Sequence, residues 1–171
     1  MIRRQLDVLS DLFEEIIVVT SSARPFRVRP GLKVAVDRVD NLGPLGGLYT
    51  GLSAASGDGI FLVACDLPFL ERELIAELIA DFDCQRFDGR IPTSFSGLEP
   101  LHALYSKRIM PKVEAAVKAG DLSLQRLIKG ADCQIADWSN RRTNAFLNIN
   151  TPEELDRAGP LAGGAVHHTP S

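Results

Sequence analysis

Ile60-Phe61-Leu62-Val63-Ala64-Cys65-Asp66-Leu67-Pro68-Phe69-Leu70 is an apolar run that ends at a carboxylate and then breaks at a proline. Five consecutive apolar residues before Cys65 predict a strand buried on both faces, as in a parallel sheet. Asp66 then stands at the carboxyl end of that strand, where open α/β sheets place their ligand crevices. A carboxylate there holds a divalent cation against a phosphate, or it caps the helix that follows. The residue pattern alone leaves both readings open.

Upstream, Ile16-Ile17-Val18-Val19-Thr20 is β-branched and predicts a buried strand. Leu32-Lys33-Val34-Ala35-Val36-Asp37 predicts another, and it too ends at an aspartate. Residues 2–14 place Ile2, Leu6, Leu9 and Phe13 on one helical face. Ser21 to Gly31, with Pro25 and Pro30, is a connection. Strand, connection, strand, connection, strand is the rhythm of an α/β sheet. Before residue 60, Gly43, Pro44, Leu45, Gly46 and Gly47 open a short helix that runs through Ala55 and ends at Gly57. Glycines let backbone N–H groups approach a ligand, and helix N-termini favour anions. Such a turn serves chain geometry as readily as binding.

Downstream, Leu70, Leu74, Ile75, Leu78, Ile79 and Phe82 define a core-facing helix, with Glu71, Arg72, Glu73 and Glu77 on its solvated face. Arg90 to Thr93 and Glu99 to Tyr105 predict two more strands. His102 lies among apolar positions and reads as a core or rim histidine, not a catalytic one. Ile109 to Ala119 is a helix with Pro111 in its first turn and Gly120 as its stop. Asp121 or Ser123 caps a short helix bearing Leu124, Leu127 and Ile128. Cys133 to Trp138 predicts an edge strand, and Phe146 to Asn150 is extended. Thr151-Pro152-Glu153-Glu154 is a capping box that starts a helix. Residues 159–171 read as a disordered tail after one domain of residues 1–158.

The 171 residues carry a net charge of −3, which gives no basic field for nucleic acid. No apolar stretch approaches the ~20 residues of a membrane span, and the start is not a signal peptide. Cys65, Cys84 and Cys133 form no Cys-x-x-Cys pair and read as free thiols in a cytoplasmic setting. With His102, His167 and His168 they lack zinc-ligand spacing.

Four segments, taken in order, resemble the molybdenum cofactor guanylyltransferases: Gly43-Pro44-Leu45-Gly46-Gly47-Leu48, Ala64-Cys65-Asp66-Leu67-Pro68-Phe69-Leu70, Glu99-Pro100-Leu101-His102-Ala103-Leu104-Tyr105 and Asn148-Ile149-Asn150-Thr151-Pro152-Glu153-Glu154-Leu155. The Gly120-Asp121-Leu122-Ser123-Leu124 stretch also fits. The resemblance implies a Rossmann-like nucleotidyltransferase fold of three layers with a mostly parallel sheet. It implies transfer of GMP from GTP to the molybdopterin molybdenum cofactor, with release of pyrophosphate and with Mg2+, or Mn2+, as the cofactor. Asp66 matches the metal-binding and catalytic aspartate. Asp37 matches the aspartate of the guanosine site, and Gly43, Pro44, Leu45 and Gly46 match the loop beside the nucleotide. Asn148 and Asn150 match asparagines on the pterin side. The implied partners are GTP, the molybdopterin cofactor, and proteins of cofactor biosynthesis or molybdoenzyme maturation. A non-catalytic molybdopterin-binding or delivery module, and a cytidylyl or sugar-nucleotide transferase, are the alternatives.

The family's glycine-rich phosphate loop (Leu-Ala-Gly-Gly, Ser, Arg-Met-Gly, Asp-Lys) is not among these residues. By the resemblance, it would follow a strand lying between strands 16–20 and 60–66, so those two strands are expected to face each other without a shared partner. A start codon further upstream, or a remnant gene of doubtful activity, would each account for this.

Overall fold

The computed structural model describes residues 2–20, 32–37, 42–149, 151 and 154. In chain order the elements are α1 (Ile2–Leu9), β1 (Ile16–Thr20), β2 (Leu32–Val36), α2 (Gly43–Ala54), β3 (Gly59–Val63), α3 (Arg72–Ala80), β4 (Gly89–Ser94), β5 (Gly97–Leu98), β6 (His102–Ser106), α4 (Met110–Ala119), α5 (Leu124–Lys129) and β7 (Cys133–Asp137).

The described strands form two sheets. β1 lies parallel to β2, with Ile16 opposite Leu32 and Thr20 opposite Val36. The second sheet runs β3-β6-β4-β5, with β7 also on β4. β6 is antiparallel to both β3 and β4, β5 is antiparallel to β4, and β7 is parallel to β4. The α/β class holds, with a mixed rather than mostly parallel sheet among the described strands. The apolar run at 60–64 does build β3, but its partner β6 is antiparallel, and every β3 residue is half-buried. An apolar run records burial, and carries no information on its partner's direction.

Because β3 and β4 are both antiparallel to β6, they point the same way, and β7 follows β4. Their carboxyl ends therefore share one edge of the sheet. Side chains alternate across β6: Ala103 and Tyr105 pack with α2, α4 and α5, whereas Leu104 packs with Leu74, Leu78 and Trp138. The second sheet is thus covered on both faces, giving three layers.

β1 and β3 do not pair. α2 packs against both and bridges the two sheets. At the amino ends, Ser56 donates its backbone N–H to Glu15 at 2.8 Å, which brings the start of β3 beside the start of β1.

Several local expectations are met in detail. Gly120 ends α4 at φ +69°, and the Ser123 hydroxyl accepts the Arg126 N–H to cap α5. The capping box forms reciprocally: Thr151 N–H donates to Glu154 Oε2 at 3.3 Å, and Glu154 N–H to Thr151 Oγ1 at 3.2 Å. The first helix is shorter than the apolar spacing implies and stops at Leu9. The Ser10 hydroxyl and N–H both turn back to Leu6 C=O, and Leu12 and Phe13 close a turn on Leu9 C=O. Phe13 then stacks on Phe61 at 5.7 Å between centroids. Asn150 and residues 159–171 lie outside the described residues.

Two residues read as solvated prove to be anchors. Glu77 takes a two-pronged contact from Arg141, at 2.8 and 2.6 Å, and also accepts the Trp138 indole N–H. Glu71 accepts the Thr143 hydroxyl. These bonds strap residues 138–145 onto α3 and deliver Ile149, whose N–H donates to Asp66 C=O at 2.8 Å.

Candidate functional site

A cleft of about 1100 Å³ opens between the two sheets. Its walls are β1 and β3, α1 borders it through Gln5, Leu6 and Leu9, and α2 contributes Gly43, Pro44, Gly47 and Gly51. Asp37, Cys65 and Asp66 stand at the end where the strands terminate. The fold therefore gathers Asp37, Gly43, Pro44 and Asp66 around one cleft.

Asp66 follows β3 in a turn that runs into Pro68. Its Oδ1 is buried and meets no hydrogen-bond partner among the described residues. A carboxylate oxygen out of water and without a donor is a costly arrangement, and a cation there removes the cost. The helix-cap alternative fails on the same ground, because the residue before α3 is Glu71 and no side chain caps that helix. Among the described residues no group of three or more His, Cys, Asp or Glu gathers to hold a metal. A divalent ion at Asp66 would take its remaining ligands from water and phosphate oxygens, the manner in which Mg2+ binds.

The turn is held by a residue that the apolar pattern passed over. Gln5 is buried on the inner face of α1, and its side-chain amide donates to Ala64 C=O at 2.7 Å and Leu67 C=O at 2.9 Å. A glutamine between apolar positions 2, 6 and 9 was the available signal.

Asp37 leans on α2. Thr50 Oγ1 donates to its Oδ1 at 3.1 Å, and a Cβ added at Gly46 would lie 2.5 Å from Oδ2. The close approach of Asp37 thus requires a glycine at position 46. Gly43, at φ +54°, takes the left-handed backbone that opens α2, and Leu42 before it supplies no side-chain cap. The exposed Gly43–Pro44 end offers the positive end of the helix dipole to the cleft. Leu45 is fully buried in the main core. Asn148 is exposed, next to the Ile149 N–H that reaches Asp66.

His102, opposite Val63 at the end of β3, is a core residue as its surroundings predicted. It is fully buried between the rings of Phe61 and Phe146, at 5.0 and 5.1 Å, with neither nitrogen partnered. Burial pushes its pKa down to about 4. Burial also raises the Glu99 carboxyl, although Ser94 donates to it.

A family model, the MobA-like NTP transferase domain, matches residues 1–137. Curated relatives include the molybdenum cofactor guanylyltransferase of Vibrio atlanticus, 36% identical over 71% of this chain and 62% of that protein. The molybdenum cofactor guanylyltransferase of Syntrophotalea carbinolica is 30% identical over 95% of this chain and 80% of its own length. The chain thus spans less than two thirds of the first relative and about four fifths of the second. Among solved structures, molybdopterin-guanine dinucleotide biosynthesis protein A from Archaeoglobus fulgidus superposes with a TM-score of 0.77 at 23% identity, covering 94% of this chain and 84% of that one. A 2-C-methyl-D-erythritol 4-phosphate cytidylyltransferase from Thermus thermophilus gives 0.69 at 16%, over 94% and 88%. These two establish the nucleotidyltransferase fold.

Proposed function

The chain belongs to the MobA-like NTP transferase family, and from that premise we propose that its cleft serves GMP transfer from GTP to the molybdopterin molybdenum cofactor. In this reaction a phosphate oxygen of the acceptor forms a bond to the α-phosphorus of GTP. The bond from the α-phosphorus to the bridging oxygen of the β-phosphate breaks, and pyrophosphate leaves. The product is the guanine dinucleotide cofactor. Such a transfer asks the protein for positioning and charge neutralisation, not for a nucleophile of its own.

The observation that carries the reading is the partnerless Oδ1 of Asp66 at the carboxyl edge. A divalent ion held there, Mg2+ or Mn2+, supplies Lewis-acid neutralisation of the phosphate oxygens. Gln5 fixes the turn that carries Asp66, and the bond from Ile149 N–H keeps Asn148 and the pterin side next to it. The open end of α2 at Gly43 favours a phosphate, and Asp37, held by Thr50, stands ready for the guanosine side. The curated relatives named above are guanylyltransferases, which favours that donor over the cytidylyl and sugar-nucleotide alternatives. The three cysteines form no disulfide, which suits a cytoplasmic setting, and among the described residues no helix is long and apolar enough to cross a membrane.

The test is pyrophosphate release from GTP in the presence of Mg2+ and molybdenum cofactor. Asp66→Ala is expected to lower kcat by about 10²-fold or more, with the fold retained by circular dichroism. Turnover equal to that of the unaltered protein would refute the role of Asp66.

A further inference from the structure

β4 ends at the same carboxyl edge as β3, and there it turns back into β5 through Phe95 and Ser96, with Thr93 opposite Leu98 and Ser94 opposite Gly97. Phe95, at the tip of this hairpin, is 97% exposed, whereas Ile135, the next most exposed large apolar residue among those described, is 52%. A bare aromatic ring at an edge where ligands gather is a surface on which another flat ring can stack.

Glu99 follows the hairpin. Its N–H donates to Pro92 C=O, and its own C=O accepts the His102 N–H, closing a turn at the start of β6. The Tyr105 hydroxyl donates to Pro100 C=O within that turn at 2.8 Å. Leu101 C=O accepts the Ala64 N–H at 3.1 Å, just before Asp66 in the chain. The turn bearing Glu99 is therefore fixed beside the turn bearing Asp66.

The Glu99 side chain is half-buried and set in place. Its Oε1 accepts the Ser94 hydroxyl at 2.5 Å, and Ser94 Oγ in turn accepts the Ser96 N–H at 2.9 Å. Its Oε2 takes no donor among the described residues. Burial raises the carboxyl, so its ionised form gains from any donor that a ligand brings. Asp137, at the same edge, is already engaged: its Oδ1 accepts the Thr93 hydroxyl, the Ser139 N–H and the Ser139 hydroxyl.

We propose that Phe95 and Glu99, with Ser94 as the positioning residue, form a subsite for an aminopyrimidinone ring, which stacks on Phe95 and gives its amino and ring N–H groups to the Glu99 carboxylate. Two adjacent N–H donors suit a carboxylate, which accepts through both oxygens. Guanine and pterin both carry this edge. The subsite takes the pterin of the acceptor, because Asp37, which the reaction sets aside for guanosine, follows β2 in the other sheet. That assignment rests on the GMP-transfer reading, whereas binding of the ring itself does not.

The test uses the 171-residue chain and free pterin, without GTP, and follows the NMR signals of the Phe95 ring and of the Ser96 and Glu99 amides. Saturable shifts at these positions are expected. Phe95→Ala should weaken pterin binding by at least about fivefold, and Glu99→Gln by at least about tenfold. Lumazine, a pteridine with an oxo group in place of the amino group, should bind the unaltered chain several-fold more weakly than pterin. Because Phe95 is so exposed, Phe95→Ala should melt with the unaltered chain, which separates lost binding from lost folding. In turnover, Phe95→Ala should raise KM for the molybdenum cofactor by at least about fivefold and leave KM for GTP unchanged. No shift at the hairpin, or equal pterin binding by the unaltered chain and both variants, overturns the proposal. Stronger binding of guanosine than of pterin at the hairpin overturns the assignment to the acceptor. Pterin binding as expected without any GTP turnover would support the subsite and count against GMP transfer; turnover without pterin binding would do the reverse.

Discussion

Asp66 and Asp37 both follow strands, yet their surroundings differ in kind. The Asp37 carboxylate is anchored by Thr50 and pressed against Gly46, while Asp66 Oδ1 is buried without a donor. The sequence pattern placed both at strand ends, but hydrogen-bond satisfaction separates them. His102 yields a prediction of its own. In the unfolded chain it takes up a proton below about pH 6.5, and in the folded state it does so only near pH 4. Acid therefore favours unfolding: the contribution of His102 is complete above about pH 6.5 and is lost as pH falls towards 4. The span corresponds to about 3 kcal/mol. Urea midpoints measured from pH 7 to 4 should fall less steeply in His102→Phe, which keeps an aromatic ring between Phe61 and Phe146. Parallel slopes in the two proteins would show that His102 does not titrate as its burial implies. The histidine's core setting was legible from its apolar neighbours. Its lack of any polar partner was not, because that depends on Phe61 and Phe146 closing over it from separate elements.

At the scale of elements, α1 matters to the site through Gln5. Replacing it by leucine leaves the carbonyls of Ala64 and Leu67 without their donor, at a cost of about 2 kcal/mol. Thermal unfolding of Gln5→Leu should show that loss, and the turn bearing Asp66 should exchange its amides faster than in the unaltered chain. An unchanged melting temperature would mean that water replaces the amide. Most elements were legible because their signals are local: the Gly120 stop, the Ser123 cap and the Thr151–Glu154 box all follow from side chains within a few residues. Strand direction was not. The run Ile60–Ala64 announces burial, but its antiparallel pairing is set by β6, some forty residues later in the chain. The clamp by Glu71 and Glu77 was hidden for a similar reason. Charges on the outer face of a helix look solvated until Thr143 and Arg141 arrive from beyond β7.

For the molecule as a whole, the second sheet is closed on both faces by helices, whereas β1 and β2 stand as a pair attached through α2. An isolated two-stranded sheet is marginal in water, so this pair depends on its packing against α2. The class and order of the elements followed from the α/β rhythm, and the family followed from four short motifs in sequence. The cleft itself emerges only in three dimensions, where two half-buried strands face each other with carboxylates near both ends. The central claim is that this cleft holds a divalent ion at Asp66 against the phosphates of a nucleotide. Binding of Mn2+ to the protein in the presence of GTP, read by water-proton relaxation, tests it most directly. A bound ion is expected in the unaltered chain, with at least about tenfold weaker binding in Asp66→Asn. Equal Mn2+ binding by the two proteins would contradict it.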